Sequence, residues 1–289
     1  MSVSVNVAHV HAYTREVQRL AQQSVSKLRS AVRVKAGVTG KSYNFERLGP
    51  SDLQTITRHS PTPILNPDHS RRRVTMSDKG GAILLDKQDQ VRMLIQPENE
   101  YAQNHAASIN RYYDDLIIAA ALGNSVAVAA DDTTSNVALG SGQQIANGST
   151  GLTFAKVNQA ARILNANDVP FGNRFAVISP VGLEDLLATT QATSSDFVNL
   201  KAIQSGQLQG TWMGFDWIVS TRLPVTSNVR SCLFFHKNAL GLATAIDMYT
   251  SVSMRHDLND ATQVYAAATA GAVRIEEALM VQVDIDESV

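Results

Sequence analysis

A helix-forming stretch from Pro97 to Gly123 sets the first constraint on this 289-residue chain. At 1.5 Å per residue, roughly 25 residues of helix reach about 38 Å. A compact globule of this chain length has a radius of gyration of only about 19 Å. One element therefore runs most of the way across the molecule, which suits a beam in a flat subunit better than the wall of a catalytic pocket. Pro97 fits a first helical turn, Glu98 and Glu100 fit the positive end of the helix dipole, and Gly123 fits a C-terminal stop. Tyr101, Ile109, Tyr112, Leu116, Ala119 and Ala120 mark one face.

On either side of this helix the pattern changes. Val10, Val17, Leu20, Ala21, Val25, Leu28 and Val32 fall at helical spacing, so residues 10 to 34 read as an amphipathic helix ended by Gly37 and Gly40. A leading helix set apart in this way docks on a neighbour rather than on its own core. Residues 41 to 95 are polar and irregular, and Pro50, Pro61, Pro63 and Pro67 exclude a regular helix across much of the segment. Within them, Arg73–Met76 and Ala82–Leu85 flank Asp78-Lys79-Gly80-Gly81, which reads as a projecting hairpin turning at Lys79-Gly80. That turn would set Arg73 opposite Asp86. An isolated two-stranded arm is only marginally stable and needs a surface to lie against.

After the long helix, residues 124 to 151 read as short strands and loops. Thr153 to Asn165 reads as a helix on Val157, Ala160, Ala161 and Leu164. Arg174 to Ile178 reads as a strand, and Ser179-Pro180 opens a helix carrying Leu183, Leu186 and Leu187. Gly206, Gly210 and Gly214 punctuate a loop before a strand from Phe215 to Val219. The alternation from Val273 to Ile285 predicts one strand of roughly 43 Å, a match for the long helix.

Charge and chemistry narrow the function classes. With 25 basic against 26 acidic residues the net charge is -1, so there is no bulk attraction to nucleic acid or anionic lipid. The single cysteine, Cys232, sits in the apolar run Ser231–Phe235 and reads as a buried structural thiol, in keeping with a reducing compartment. The N-terminus lacks the layout of a signal peptide, and the longest apolar run, Leu116 to Leu122, is too short to span a bilayer. Gly37-Val-Thr-Gly40-Lys41-Ser42 ends like a phosphate-binding loop, yet Lys35 stands where its first glycine belongs. His9 and His11 lack further ligands, and no serine sits in a nucleophile elbow. No catalytic, cofactor or metal site emerges, and the expectation is a protein that is not an enzyme. The only strong basic run is Arg71-Arg72-Arg73, read either as pairing inside the hairpin or as a contact between subunits.

The order of parts resembles the major capsid protein of tailed bacteriophages, the Hong Kong 97 fold, over nearly the whole chain. The matching strings are Arg71–Met76, Asp86–Pro97, Ile109–Ile118, Phe175–Pro180, Gly214–Pro224 and Gly271–Val283. The resemblance implies an α+β fold: an N-terminal arm (1–40), an extended β-hairpin loop (41–95), a peripheral domain with a spine helix at 97–123 (96–165), an axial domain (166–238) and peripheral return strands (239–289). It implies a subunit that forms pentamers and hexamers of an icosahedral shell around double-stranded DNA, held without sequence preference. The implied partners are sister copies, a separate scaffolding protein, a portal and a decoration protein, with no membrane and no cofactor. Its place is the virion, after assembly in the host cytoplasm. The alternatives are an encapsulin-like nanocompartment shell and, more remotely, a soluble enzyme. Some members of the family cross-link a loop lysine to a neighbour's asparagine. Lys79 and Lys87 lie in the corresponding loop, without a matching acceptor motif. The expected inter-subunit residues are Val17, Leu20, Leu28, Arg71, Arg72, Arg73, Lys79, Asp86 and Asp89.

Overall fold

The protein is described from a computed structural model, which covers residues 22–86, 98–129, 131–188 and 211–288. Along the chain run β1 (Arg33–Ala36), β2 (Ser42–Leu48), β3 (His69–Thr75), β4 (Ser77–Leu85), α1 (Glu98–Leu122), β5 (Ser125–Val128), β6 (Thr134–Val137) and β7 (Gln144–Ile145). There follow α2 (Phe154–Ala166), β8 (Arg174–Ile178), α3 (Pro180–Ala188), β9 (Thr211–Trp212), β10 (Phe215–Val219), β11 (Val225–Thr226), β12 (Val229–His236), β13 (Leu240–Arg255), β14 (Ala261–Arg274) and β15 (Met280–Asp286).

These strands build three sheets. A long-strand sheet has the order β1-β13-β14-β4, a mixed sheet runs β7-β15-β12-β8-β10-β9 with β11 beside β12, and a small sheet runs β2-β3-β5-β6. α1 lies on the long-strand sheet, where Ile109 and Tyr113 pack on Ala266, Ala268 and Ala270 of β14. Small residues at alternate positions let the helix approach the strand closely. The main core sits against the mixed sheet. There Phe215, Phe234, Val177 and Val283 meet Val157 and Leu164 of α2 and Leu186 of α3, and each such side chain contributes about 1.5–3 kcal/mol on burial. A third cluster joins the small sheet to the long strands through Phe45, Val74, Ala243 and Val273.

That third junction depends on two glycines. A Cβ on Gly241 would lie 2.7 Å from Phe45 Cζ, and one on Gly271 would lie 2.8 Å from Val74 Cγ2, both far inside van der Waals contact. The bare backbone of β13 and β14 is what allows β2 and β3 to cross over them.

The elements with strong periodicity form as the sequence predicts. α1 spans Glu98–Leu122, and the Gly123 amide closes its last turn on Ala119 O at 2.8 Å. Thr153 accepts the Lys156 amide at the start of α2, and Ser179 Oγ accepts the Gly182 amide at the start of α3. β8 and β10 have the expected bounds. The loop expected at Gly206 and Gly210 lies outside the described residues.

Three expectations are corrected. Residues 22–34 are not helical: they hold a short 3-10 turn (Arg29–Ala31) followed by β1. Asp114 of α1 accepts the Lys27 and Leu28 amides at 3.0 and 3.1 Å, taking donors that a helix would use. Val34 then pairs with Leu242 of β13. The predicted helix over residues 10–21 lies outside the described residues.

Nor is there a hairpin at 73–85. β3 pairs with β2 and β5, whereas β4 pairs with β14 from Ser77 opposite Ala270 to Leu85 opposite Thr262. Arg73 therefore faces Asn44 and Val126, not Asp86. Lys79-Gly80 lies inside a strand because Gly80 is tolerated there for closeness rather than for a turn. A Cβ on it would lie 3.0 Å from Ala266 O.

The long C-terminal strand is likewise two strands in two sheets. β14 ends at Arg274, the amides of Ile275 and Glu276 turn onto Ala239 O, and β15 begins at Met280 beside β12. The return segment 239–289 thus contributes its last strand to the mixed sheet that also holds β8, β10 and β12. The long strands that carry α1 are β13 and β14 instead.

Candidate assembly surfaces

The arginine run resolves residue by residue. Arg72 points inward and is buried, with Nη2 3.1 Å from both carboxylate oxygens of Glu277. Arg274, fully buried, has Nε 3.8 Å from the same carboxylate, and Arg47 lies 3.7 Å away. Ser125 Oγ donates to it at 3.2 Å. Arg274 also donates to the carbonyls of Ala121 (2.8 Å), Gly123 (2.7 Å) and Val137 (2.8 Å). A guanidinium thus caps the negative C-terminal end of α1. One carboxylate ties the small sheet, the end of β14 and the end of the long helix together. Burial lowers the Arg274 pKa from its usual value, with Glu277 opposing that shift. Arg73 reaches Asn44 at 3.4 Å, and Arg71 is exposed, 3.9 Å from Asp132. The central residue of the run is therefore structural, while its flanks face outward.

The N-terminal segment is strapped to α1. Asp114 is fully buried and accepts from the Gln23 side chain, Ser26 Oγ (2.6 Å) and the two amides already named. Arg111 Nη1 donates to Gln22 (2.7 Å), and Asn110 donates to Ser24 O (2.8 Å). Arg29 pairs with Asp247 at 2.6 Å while its guanidinium lies over the Tyr113 ring, and Tyr113 donates to Asp247 at 3.1 Å. The Arg29 hydrogen bond holds the Asp247 carboxyl below its usual range, and burial together with Asp247 pushes the Tyr113 hydroxyl up. Leu28, expected to face a neighbour, is fully buried in this chain's own core beside Ile117 and Ile118. Val17, Leu20 and Asp89 lie outside the described residues.

The surfaces left uncovered lie elsewhere. The segment 49–68 joins β2 to β3 with its base closed by Gly49 N on Asp68 O, at 2.7 Å. Leu53, Ile56 and Ile64 on it are 92%, 72% and 82% exposed. A second apolar strip runs along β13, where Ile246, Met248, Val252 and Met254 are exposed. β1 covers the outer edge of β13 only as far as Thr244. Among the described residues no strand pairs with that edge beyond it. Edges of this length, without proline or lysine, are templates for pairing with another chain. Lys79 and Asp86 are also exposed, on and just after β4.

Sequence reasoning missed Glu277 and Asp114, the two carboxylates that organise these contacts. Each sits in a doublet, Glu276-Glu277 and Asp114-Asp115. Asp114 carries a signal in hindsight, since it falls on the same helix face as Tyr113 and Ile117, where a lone carboxylate requires donors.

Against known proteins, residues 5–287 match the family described as phage capsid protein. No curated protein sequence matches the chain. Among solved structures, the capsid of the cyanophage P-SCSP1u is similar at 16% identity with a TM-score of 0.74, covering 98% of this chain and 94% of that one. The acid-stable capsid of Helicobacter pylori bacteriophage KHP30 is similar at 11% identity and TM-score 0.74, covering 99% and 98%. The capsid of a native GTA particle is similar at 13% identity and TM-score 0.70, covering 98% and 97%. The three-sheet body, its long helix and the match over residues 5–287 lead to one conclusion: the chain belongs to the phage capsid protein family.

Proposed function

We propose that this chain is the repeating subunit of an icosahedral shell, assembled as pentamers and hexamers around double-stranded DNA. A capsid protein is a structural component of the virion. The observation that carries the finer reading is the exposed segment 49–68. It presents Leu53, Ile56 and Ile64 to solvent on a chain that makes almost no contact with its own body. Exposed aliphatic residues on an extended, proline-rich segment are costly in isolation and favourable once a sister subunit covers them. The unpaired β13 edge supports the same reading, since a neighbour can supply the missing ladder. Interfaces of this obligate kind commonly bury about 2,000 Å² or more, and closed rotational symmetry repeats them around each ring. A near-neutral chain suits a container that holds DNA by confinement. Arg71, Lys79 and Asp86, which are exposed, and the half-buried Arg73 are the residues offered to neighbours. A separate scaffolding protein, a portal and a decoration protein complete the assembly, which takes place in the host cytoplasm.

The test is negative-stain imaging and sedimentation of the purified full chain, with and without scaffold. Closed shells are expected. A species that stays monomeric under every assembly condition overturns the reading.

A further inference from the structure

We propose that the cavity between α1 and β4 is a socket for a carboxylate from a second copy of this chain, supplied by Asp52 of the neighbour's 49–68 segment. The inference rests on the shell reading above and names one of its contacts.

The cavity holds about 370 Å³ and is lined by Lys79 and Gly81 on the strand, His105, Ile109 and Tyr112 on the helix, and Ala266 below. Its volume comes partly from a missing side chain. A Cβ on Gly81 would meet nothing nearer than His105 Cε1 at 3.9 Å, so the strand leaves open the space that a larger residue would fill. Among the described residues β4 is the outermost strand of its sheet, and the cavity is partly open to solvent.

The chemistry of the walls is one-sided. His105 Nε2 is buried and has no hydrogen-bond partner among the described residues. Buried ring nitrogens are ordinarily paired, and an orphan carries the full cost of its lost water. Lys79 forms no ion pair among the described residues. Tyr112 is already engaged, 2.7 Å from Ser77 Oγ. Asp78, the neighbouring carboxylate on β4, is turned to the other face, where it accepts from Thr269 at 2.6 Å. The cavity therefore offers the Lys79 side chain, with the imidazole of His105 in its wall, and has no acid among its described lining residues. Its complement is an anionic acceptor of side-chain size.

Asp52 matches that description. It is exposed and has no hydrogen bond or ion pair among the described residues. It stands beside Leu53, which can cover the apolar floor made by Ile109 and Ala266 once the carboxylate enters. Charge complementarity then fixes the register of a segment whose aliphatic residues alone would slide.

The experiment uses the full chain, with wild-type shells as reference. Lys79→Glu and Asp52→Lys are made singly and together, and circular dichroism and thermal unfolding report the fold of each. Loss of shells in both single variants, with recovery in the charge-swapped double variant, is the expected result. Wild-type shell yield from either single variant overturns the proposal, as does a folded double variant that fails to recover. If a DNA phosphate fills the socket instead, Lys79→Glu builds empty shells at full yield and fails only in packaging, which also overturns it. A chain carrying both Asp52→Cys and Lys79→Cys gives a second readout that does not depend on charge. Oxidised shells should show disulfide-linked multimers on a non-reducing gel, and their absence overturns the contact. Cys232 stays silent there, buried with its thiol pushed up to about 12 by desolvation. Failure of the wild-type chain to form any shell is a different result, and it removes the shell reading itself.

Discussion

Arg72 Nη2 stands 3.1 Å from both carboxylate oxygens of Glu277, 205 positions further along the chain. Arg274 and Arg47 face the same carboxylate, so one acid serves three guanidinium groups. Glu277→Ala would leave Arg72 and Arg274 buried without a counter-charge. Removing one partner of a buried pair costs about 3–5 kcal/mol. Because Glu277 keeps some contact with solvent, a loss near about 3 kcal/mol is expected in urea unfolding of the unassembled subunit. An unchanged midpoint would show that the guanidinium groups find other acceptors.

Gly271 gives a steric prediction. An added Cβ would lie 2.8 Å from Val74 Cγ2 and would also press on the Thr75 carbonyl, which is backbone and has little room to move. Gly271→Ala should destabilise the subunit by about 1–3 kcal/mol through overpacking. Calorimetry of the purified subunit reads the shift in Tm. Wild-type stability would mean that β3 and β14 separate freely.

Asp114→Ala should release the strap without melting the helix beneath it. The amides of Lys27 and Leu28 lose their acceptor, so hydrogen exchange there should rise while the amides of α1 stay protected. Uniform loss of protection across α1 would instead make the strap part of the cooperative core.

His236 sets a pH dependence. Burial, reinforced by the nearby Arg174 charge, lowers its pKa from the ordinary 6.5, and the neutral ring accepts the Asn238 amide at 3.2 Å. Below about pH 6.5 the unfolded chain therefore takes up a proton that the folded chain resists. Stability should fall as pH drops through that value and level off once the folded ring also titrates. His236→Gln should flatten this segment of the stability profile. The aspartates whose pKa is lowered, Asp247 and Asp286 among them, act in a separate window at lower pH.

Segment 49–68 should be the first site of cleavage by a broad-specificity protease in free subunits. It has almost no internal hydrogen bonds and an exposed backbone. In assembled shells the same cleavage should slow by at least an order of magnitude if sister subunits cover Leu53, Ile56 and Ile64, since a contact worth 1.4 kcal/mol is tenfold. Equal rates in both states would leave the segment without a partner.

Where a local signal was complete, the sequence was sufficient. α1, α2, α3, β8 and β10 each combine a period with a cap or a glycine, and each forms within a residue or two of its expected bounds. Failures arose where a distant group overrode the local pattern. Residues 22–34 have helical spacing, but Asp114 takes their amides. Gly80-Gly81 has turn chemistry, but the glycines serve close packing beside β14. The alternation from Val273 to Ile285 is genuine, yet Ala239 O captures two amides in its middle and bends the chain into a second sheet. The middle of β14, Ala266-Ala-Ala-Thr-Ala, has little strand propensity, and its small residues lie against α1. Of the expected contact residues, Lys79 is exposed but lies within a strand rather than at a turn, whereas the burial of Arg72 and Leu28 depends on partners nearly a hundred or more positions away.

Met76 alone separates β3 from β4, and its amide is fixed to Lys41 O at 3.0 Å. The chain passes from one sheet to another with no slack. A pull on the outer segment therefore runs down β3 and reaches the first ladder pair of β4, Ser77 opposite Ala270, with no loop to take it up. A container that must withstand pressure from within would carry its hoop tension along this path.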